Sequence, residues 1–182
     1  MNPAASIVIP LISSAASMLI LQKTMRPRII LILPFMLCLS SASLYFEFTV
    51  FDLLFHSVLL VSAVTDAHTG KVYDLPLYLL APWALVLFYG TRSYIAAIFM
   101  LFIPLYRGNK KLQFYFGEGD LWILLFISMA YGRNVFYTLF YASCLGLLFS
   151  FLARRREIYF VPFLFLGLLL SNLEKINNIF GI

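Results

Sequence analysis

The sequence predicts an all-α, polytopic membrane helix bundle, and three observations carry that prediction. Of 182 residues, 63% are hydrophobic, only 12% are charged, and the apolar residues are gathered into long runs joined by short polar connections. A soluble domain carries roughly 25% charged residues, so this chain is composed for lipid. Backbone groups in lipid need partners inside their own segment, and the alternating segments of about ten residues that a barrel strand requires are absent, which leaves helices.

The apolar runs extend approximately over Pro3 to Gln22, Ile29 to Phe46, Val50 to Thr65, Leu75 to Gly90, Ser93 to Tyr106, Leu112 to Tyr131, Val135 to Ala153 and Ile158 to Ser171. A hydrocarbon core of about 30 Å takes about 20 helical residues. Eight candidate spans follow, six to eight of them crossing. Within the first run "SSAAS" places small residues after an apolar stretch, yet the basic residues Lys23, Arg26 and Arg28 follow the run, where a secretory signal would carry them before; it is expected as a retained span. The third run carries Asp52 and His56 one helical turn apart, expected as a hydrogen-bonded structural pair. The fifth and eighth are short and are accommodated by local thinning or as half-spans. Pro10, Pro34, Pro82, Pro104 and Pro162 mark bends in or at the ends of these runs. Cys38 and Cys144 lie in apolar runs with no CxxC pairing, so two buried thiols are expected, with no zinc knuckle and no disulfide framework. The longest polar connections are "TDAHTGKVYD" and "YRGNKKLQFYFGEGD", too short for a soluble unit, so residues 1–182 read as a single integral membrane domain.

Basic residues orient the bundle. Alternate connections hold Lys23, Arg26, Arg28, Lys71, Arg107, Lys110, Lys111, Arg154, Arg155 and Arg156 on one side, and Arg92, Arg133 and Lys175 on the other. The richer side is assigned to the cytoplasm, giving a multi-pass protein of the cytoplasmic (inner) membrane. The net charge of +5 reads as this topology signal with some attraction to anionic lipid, and no nucleic-acid module is visible.

The stretch "FYFGEGDLWILL" sets Gly117, Glu118, Gly119 and Asp120 directly against an apolar run. From Asp120 to Tyr131 a helix rises only about 18 Å, so the span is expected to borrow "LQFYF" upstream and to bring Asp120 below the membrane surface. The glycines permit a turn or a close helix approach, and Asp120 can cap the following helix. An acid at that depth is a functional signal by default. Asp66 ends one span and Asp74 begins the next, on the same side as Asp120. Two carboxylates from different helices can therefore meet at one depth. A few ångströms apart they cannot both ionise comfortably, so one accepts a proton from water while the other, still protonated, polarises a carbonyl.

"TDAHTGKVYD" followed about fifty residues later by "GEGD" resembles the type IV prepilin peptidase family, the GxGD aspartic proteases of the membrane, in its compact form. The family's first motif is an Asp, a Thr three residues on, then an aliphatic residue, Pro and Asn. Here Asp66, Thr69 and Val72 match, while Tyr73 and Asp74 replace the Pro and Asn. The second motif is matched by Gly117, Glu118, Gly119 and Asp120, with Trp122 where a Lys is common. The resemblance implies Asp66 and Asp120 as the catalytic pair of an aspartic endopeptidase, with no cofactor. It implies as substrate the short basic leader of a prepilin-like or preflagellin-like protein, cut at the cytoplasmic membrane face, which ties the chain to type IV pilus assembly and protein secretion. Larger members add a segment with paired CxxC motifs and methylate the new N-terminus; without it, peptidase activity alone is expected.

Gly117 and Gly119 are expected to allow close approach, Thr69 to hydrogen-bond near the dyad, and Glu118 and Asp74 to contact substrate. Asp74 is also an alternative first acid, because "VYD" with "GEGD" resembles the presenilin and signal peptide peptidase group, although the Pro-Ala-Leu motif of that group is absent; Asp66 is favoured. His68 with Asp66 and Asp74 does not supply the fixed ligand set of a catalytic zinc, so no metal is expected. The rival from another class is a non-catalytic membrane protein, a small transporter or assembly partner, whose acids bind protons or cations.

Overall fold

A computed structural model describes residues 49–70, 72, 74–115, 117–154 and 158–180, together with Val8. The first two apolar runs, Cys38, Lys71, Tyr73, Arg155, Arg156 and the side chains of His68 and Lys175 lie outside this description. Among the described residues the chain is all-helical, with seven helices and no strand. They are α1 (Val50–Thr69), α2 (Asp74–Thr91), α3 (Tyr94–Gly108), α4 (Lys110–Tyr115), α5 (Glu118–Tyr131), α6 (Asn134–Ala153) and α7 (Val161–Phe180). Three of these, α1, α2 and α6, contain stretches long and apolar enough to cross a membrane.

Helix α1 starts at a reciprocal cap that its sequence spells out as "TVFD". The Asp52 N–H donates to Thr49 Oγ1 at 3.2 Å and the Thr49 N–H donates to Asp52 Oδ2 at 3.0 Å, satisfying two otherwise orphaned donors. It ends at Gly70, whose φ of 67° closes the helix in the left-handed region and whose N–H donates to the Asp66 carbonyl at 2.7 Å. The chain turns back into α2 within four residues.

The sequence expectation of one continuous span over residues 112–131 is corrected. The helix breaks between Tyr115 and Glu118, with Gly117 as the N-cap of α5, and the upstream residues form the separate short helix α4. Helix α5 rises only about 21 Å. It is nevertheless buried on nearly all sides, since Leu121 and every residue from Ile123 to Ala130 are buried. Its hydropathy therefore reflects a protein interior and not a lipid-facing surface, and a short helix at membrane depth is tolerated where protein surrounds it.

The helices form a ring in which α1 packs on α2, α2 on α5, α5 on α6, α6 on α7, and α7 back on α1, while α3 leans on α5 from outside. Phe55, Leu59, Ile123, Ile127, Leu164 and Leu168 lie in its core. The outer helices show lipid-type surfaces: Phe140, Leu147 and Phe151 of α6 are exposed. Cys144 shares that surface, so the expectation of a buried thiol does not hold for it; a small apolar side chain on α6 is as much at home facing lipid as facing core.

Two direct bonds fix the helix directions. Tyr131 Oη, at the end of α5, donates to Asp52 Oδ1 at 3.0 Å near the start of α1, so α1 and α5 run antiparallel. The Thr91 hydroxyl, at the end of α2, donates to the Met129 carbonyl at 2.6 Å, so α2 runs parallel to α5. The connections α1–α2, α3–α5 and α6–α7 consequently gather at one end of the bundle, and α2–α3 and α5–α6 at the other.

Candidate active site

The α1 and α5 stripes that face each other can be read from helical phase at about 100° per residue. On α1, Asp52, Phe55, Leu59 and Asp66 share one stripe; on α5, Asp120, Leu124, Ile127 and Tyr131 share another. The stripes are pinned together at one end by the Tyr131–Asp52 bond and by the Phe55 and Tyr131 rings, whose centroids lie 5.6 Å apart at 72°. From that pin Asp66 lies about 21 Å along α1 and Asp120 about 17 Å back along α5, so the two acids reach nearly one height. The α1 and α5 backbones stay further apart than those of α2 and α5.

Each acid is also oriented by a helix start. Asp66 is 5% exposed, and its Oδ2 accepts the Val161 backbone N–H at 3.2 Å, the first residue of α7. Asp120 is partly buried in the first turn of α5, as the third residue after the N-cap Gly117, with its carboxylate lying beside that glycine. The N-cap anticipated at Asp120 is taken by Gly117, because the helix already begins at Glu118 and Asp120 lies within its first turn; the cap made by Asp66 is not visible in the sequence, because its partner is 95 residues away. Only Pro162, which suits the first turn of a helix, signals that α7 begins there.

The two motifs touch through Gly119 and Val72. A Cβ built on Gly119 would stand 2.5 Å from Val72 Cβ and 2.9 and 3.0 Å from its two methyls, so only glycine lets the α1–α2 connection lie against the start of α5. Gly117 is less constrained: a Cβ there would meet only Asp120, at 3.2 Å from Oδ2. Thr69 Oγ1 donates to the Thr65 carbonyl of its own helix at 2.8 Å.

Beside Gly119, on the face of α5 turned away from Asp120, lies a cleft of ≈ 540 Å³. Leu77, Tyr78 and Ala81 of α2 form one wall, Trp122 and Phe126 of α5 the other, and Asp74, Arg107 and Glu118 stand at its mouth. Neither Asp66 nor Asp120 lines it. Glu118 is engaged: Arg107 Nε donates to its Oε1 at 3.0 Å, joined by Nη2, so α3 and α5 are tied by an ion pair. Asp74 is exposed at the first turn of α2. Asp52 and His56 meet by a different route from the expected side-chain pair: His56 Nδ1 lies 2.8 Å from the Asp52 backbone carbonyl, while the Asp52 carboxylate serves Thr49 and Tyr131. This group sits at the opposite end from Asp66.

Two carboxyls from separate helices, one nearly dry and held by the Val161 N–H, the other partly buried in the first turn of α5, can divide proton acceptance and proton donation between them. Comparison of the chain with protein-family models, with curated proteins and with solved structures finds no match.

Proposed function

We propose that this chain is a membrane aspartic endopeptidase of six to eight spans in which Asp66 and Asp120 activate one water against a peptide bond. The observation that carries the reading is the convergence of these two acids, 54 positions apart, at one end of the antiparallel helices α1 and α5. In the proposed reaction the ionised carboxyl takes a proton from water as the oxygen bonds to the scissile carbon. The protonated carboxyl hydrogen-bonds the carbonyl oxygen. Collapse of the tetrahedral intermediate breaks the C–N bond, and a proton passes to the leaving amine.

The substrate we infer is the basic leader of a prepilin-like or preflagellin-like protein, cut where it meets a hydrophobic helix. The cleft suits the flanking residues of such a chain: aromatic and aliphatic walls for an apolar segment, and Asp74 at the mouth for a cation, Glu118 being matched by Arg107. Arg107, Lys110, Lys111 and Arg154 share the bundle end with the two acids, which supports a cytoplasmic site in the cell membrane.

The test is Asp66→Asn and Asp120→Asn, each coexpressed with a prepilin reporter carrying a basic leader and a Gly before its hydrophobic helix. Loss of processing in both variants, with unchanged elution and melting, is expected, because Asn keeps a carbonyl acceptor for the capping N–H. Normal processing by both variants rules the dyad out. A second reading has its own observation: Asp66 caps the start of α7 and Asp120 sits in the first turn of α5, where a carboxylate suits the helix dipole, a sufficient structural use for each. It predicts no processing by the wild type and cation- or proton-dependent melting that both Asn variants abolish.

A further inference from the structure

Helices α3 and α6 both lean on α5 without packing closely on each other. At the bundle end opposite the aspartates they leave a groove of ≈ 320 Å³ lined by Tyr94, Ile95, Ile98, Arg133, Phe136 and Tyr137. Its sides are apolar and open outward, with Ile98 58% and Phe136 54% exposed. One cation stands in it. Arg133, on the turn between α5 and α6, donates from Nε to the Tyr94 hydroxyl at 2.9 Å, and its Cζ lies 5.6 Å from the centre of the Tyr94 ring. These contacts fix the guanidinium while using one of its five N–H donors. Among the described residues the one salt bridge is Arg107–Glu118, and no described carboxylate pairs with Arg133.

A soluble anion would need the guanidinium but not the slot, and an apolar helix would need the slot but not the charge. An amphiphile uses both. We propose that this groove is a binding site for an anionic glycerophospholipid, its phosphate held by Arg133 and one acyl chain laid along Ile95, Ile98 and Phe136. Arg favours phosphate because its planar fork donates two parallel hydrogen bonds, and Tyr94 and Tyr137 belong at the headgroup level where amphipathic rings collect. A zwitterionic lipid fits less well, since no described acid lines the groove to meet its cationic headgroup. The site is independent of the protease reading.

The experiment is native mass spectrometry of the full-length protein in a neutral detergent, titrated with dioleoylphosphatidylglycerol or dioleoylphosphatidylcholine. The wild type is expected to retain one phosphatidylglycerol at concentrations where phosphatidylcholine is not held. Arg133→Gln should weaken that retention about tenfold, the worth of a charge-assisted hydrogen bond. Arg92→Gln, at the same end but outside the groove, should not change it. Ile98→Trp, which fills the slot and leaves the charge, should weaken it as well, and it decides the matter if Arg133→Gln fails to fold. Equal retention of the two lipids, wild-type retention by Arg133→Gln or by Ile98→Trp, equal weakening by Arg92→Gln, or displacement by glycerol phosphate alone would each overturn the proposal.

Discussion

Gly119→Ala is the sharpest perturbation of the candidate site, because its consequence follows from one contact. The new methyl would stand 2.5 Å from Val72 Cβ. Carbon atoms rest at about 3.5–4.0 Å, so the α1–α2 connection and the first turn of α5 must separate by about 1–1.5 Å. Val72 cannot swing clear, since the crowded atom is its own Cβ and its χ1 is stiff. Overpacking of this kind costs about 1–3 kcal/mol of stability. The same displacement acts between the turn that follows Asp66 and the turn that holds Asp120, and a misplacement of about 1 Å in a reacting pair can cost about 100-fold in rate. The assay is processing of the prepilin reporter alongside thermal melting in detergent. Gly119→Ala should lower both, Gly117→Ala should be milder because only the Asp120 carboxylate must yield, and Gly119→Ala with Val72→Gly should recover much of the loss. Wild-type melting and processing by Gly119→Ala would refute the reasoning.

Other perturbations separate structural from chemical roles. Asp66→Ala leaves the buried Val161 N–H without its acceptor and should cost about 1–3 kcal/mol, whereas Asp66→Asn should melt like the wild type while losing processing; comparison of the two melting curves checks this. Tyr131→Phe removes the hydroxyl that pins α1 to α5 and should cost about 0.5–1.5 kcal/mol by denaturation, with only a small effect on processing, since the pin lies at the far end from the acids. Asp74→Asn, at an exposed cleft mouth, should leave melting unchanged and raise the KM for a basic-leader peptide, with a weaker dependence on salt than the wild type shows.

Composition and periodicity alone determined that this chain is helical and suited to lipid, because both report the solvent each segment meets. They also located the turns after Asp66 and before Asp120, where an apolar run yields to glycine and charge. Alternation of connections put those two acids at one end, and the antiparallel course of α1 and α5 agrees. What tertiary structure decided was every long-range partner: Val161 for Asp66, Tyr131 for Asp52, Arg107 for Glu118 and Val72 against Gly119. It also decided that α5 is a short interior helix and not a continuous span, since a residue surrounded by neighbouring helices and one surrounded by lipid are equally apolar in sequence. Hydropathy records how strongly a side chain avoids water; only packing decides what replaces the water.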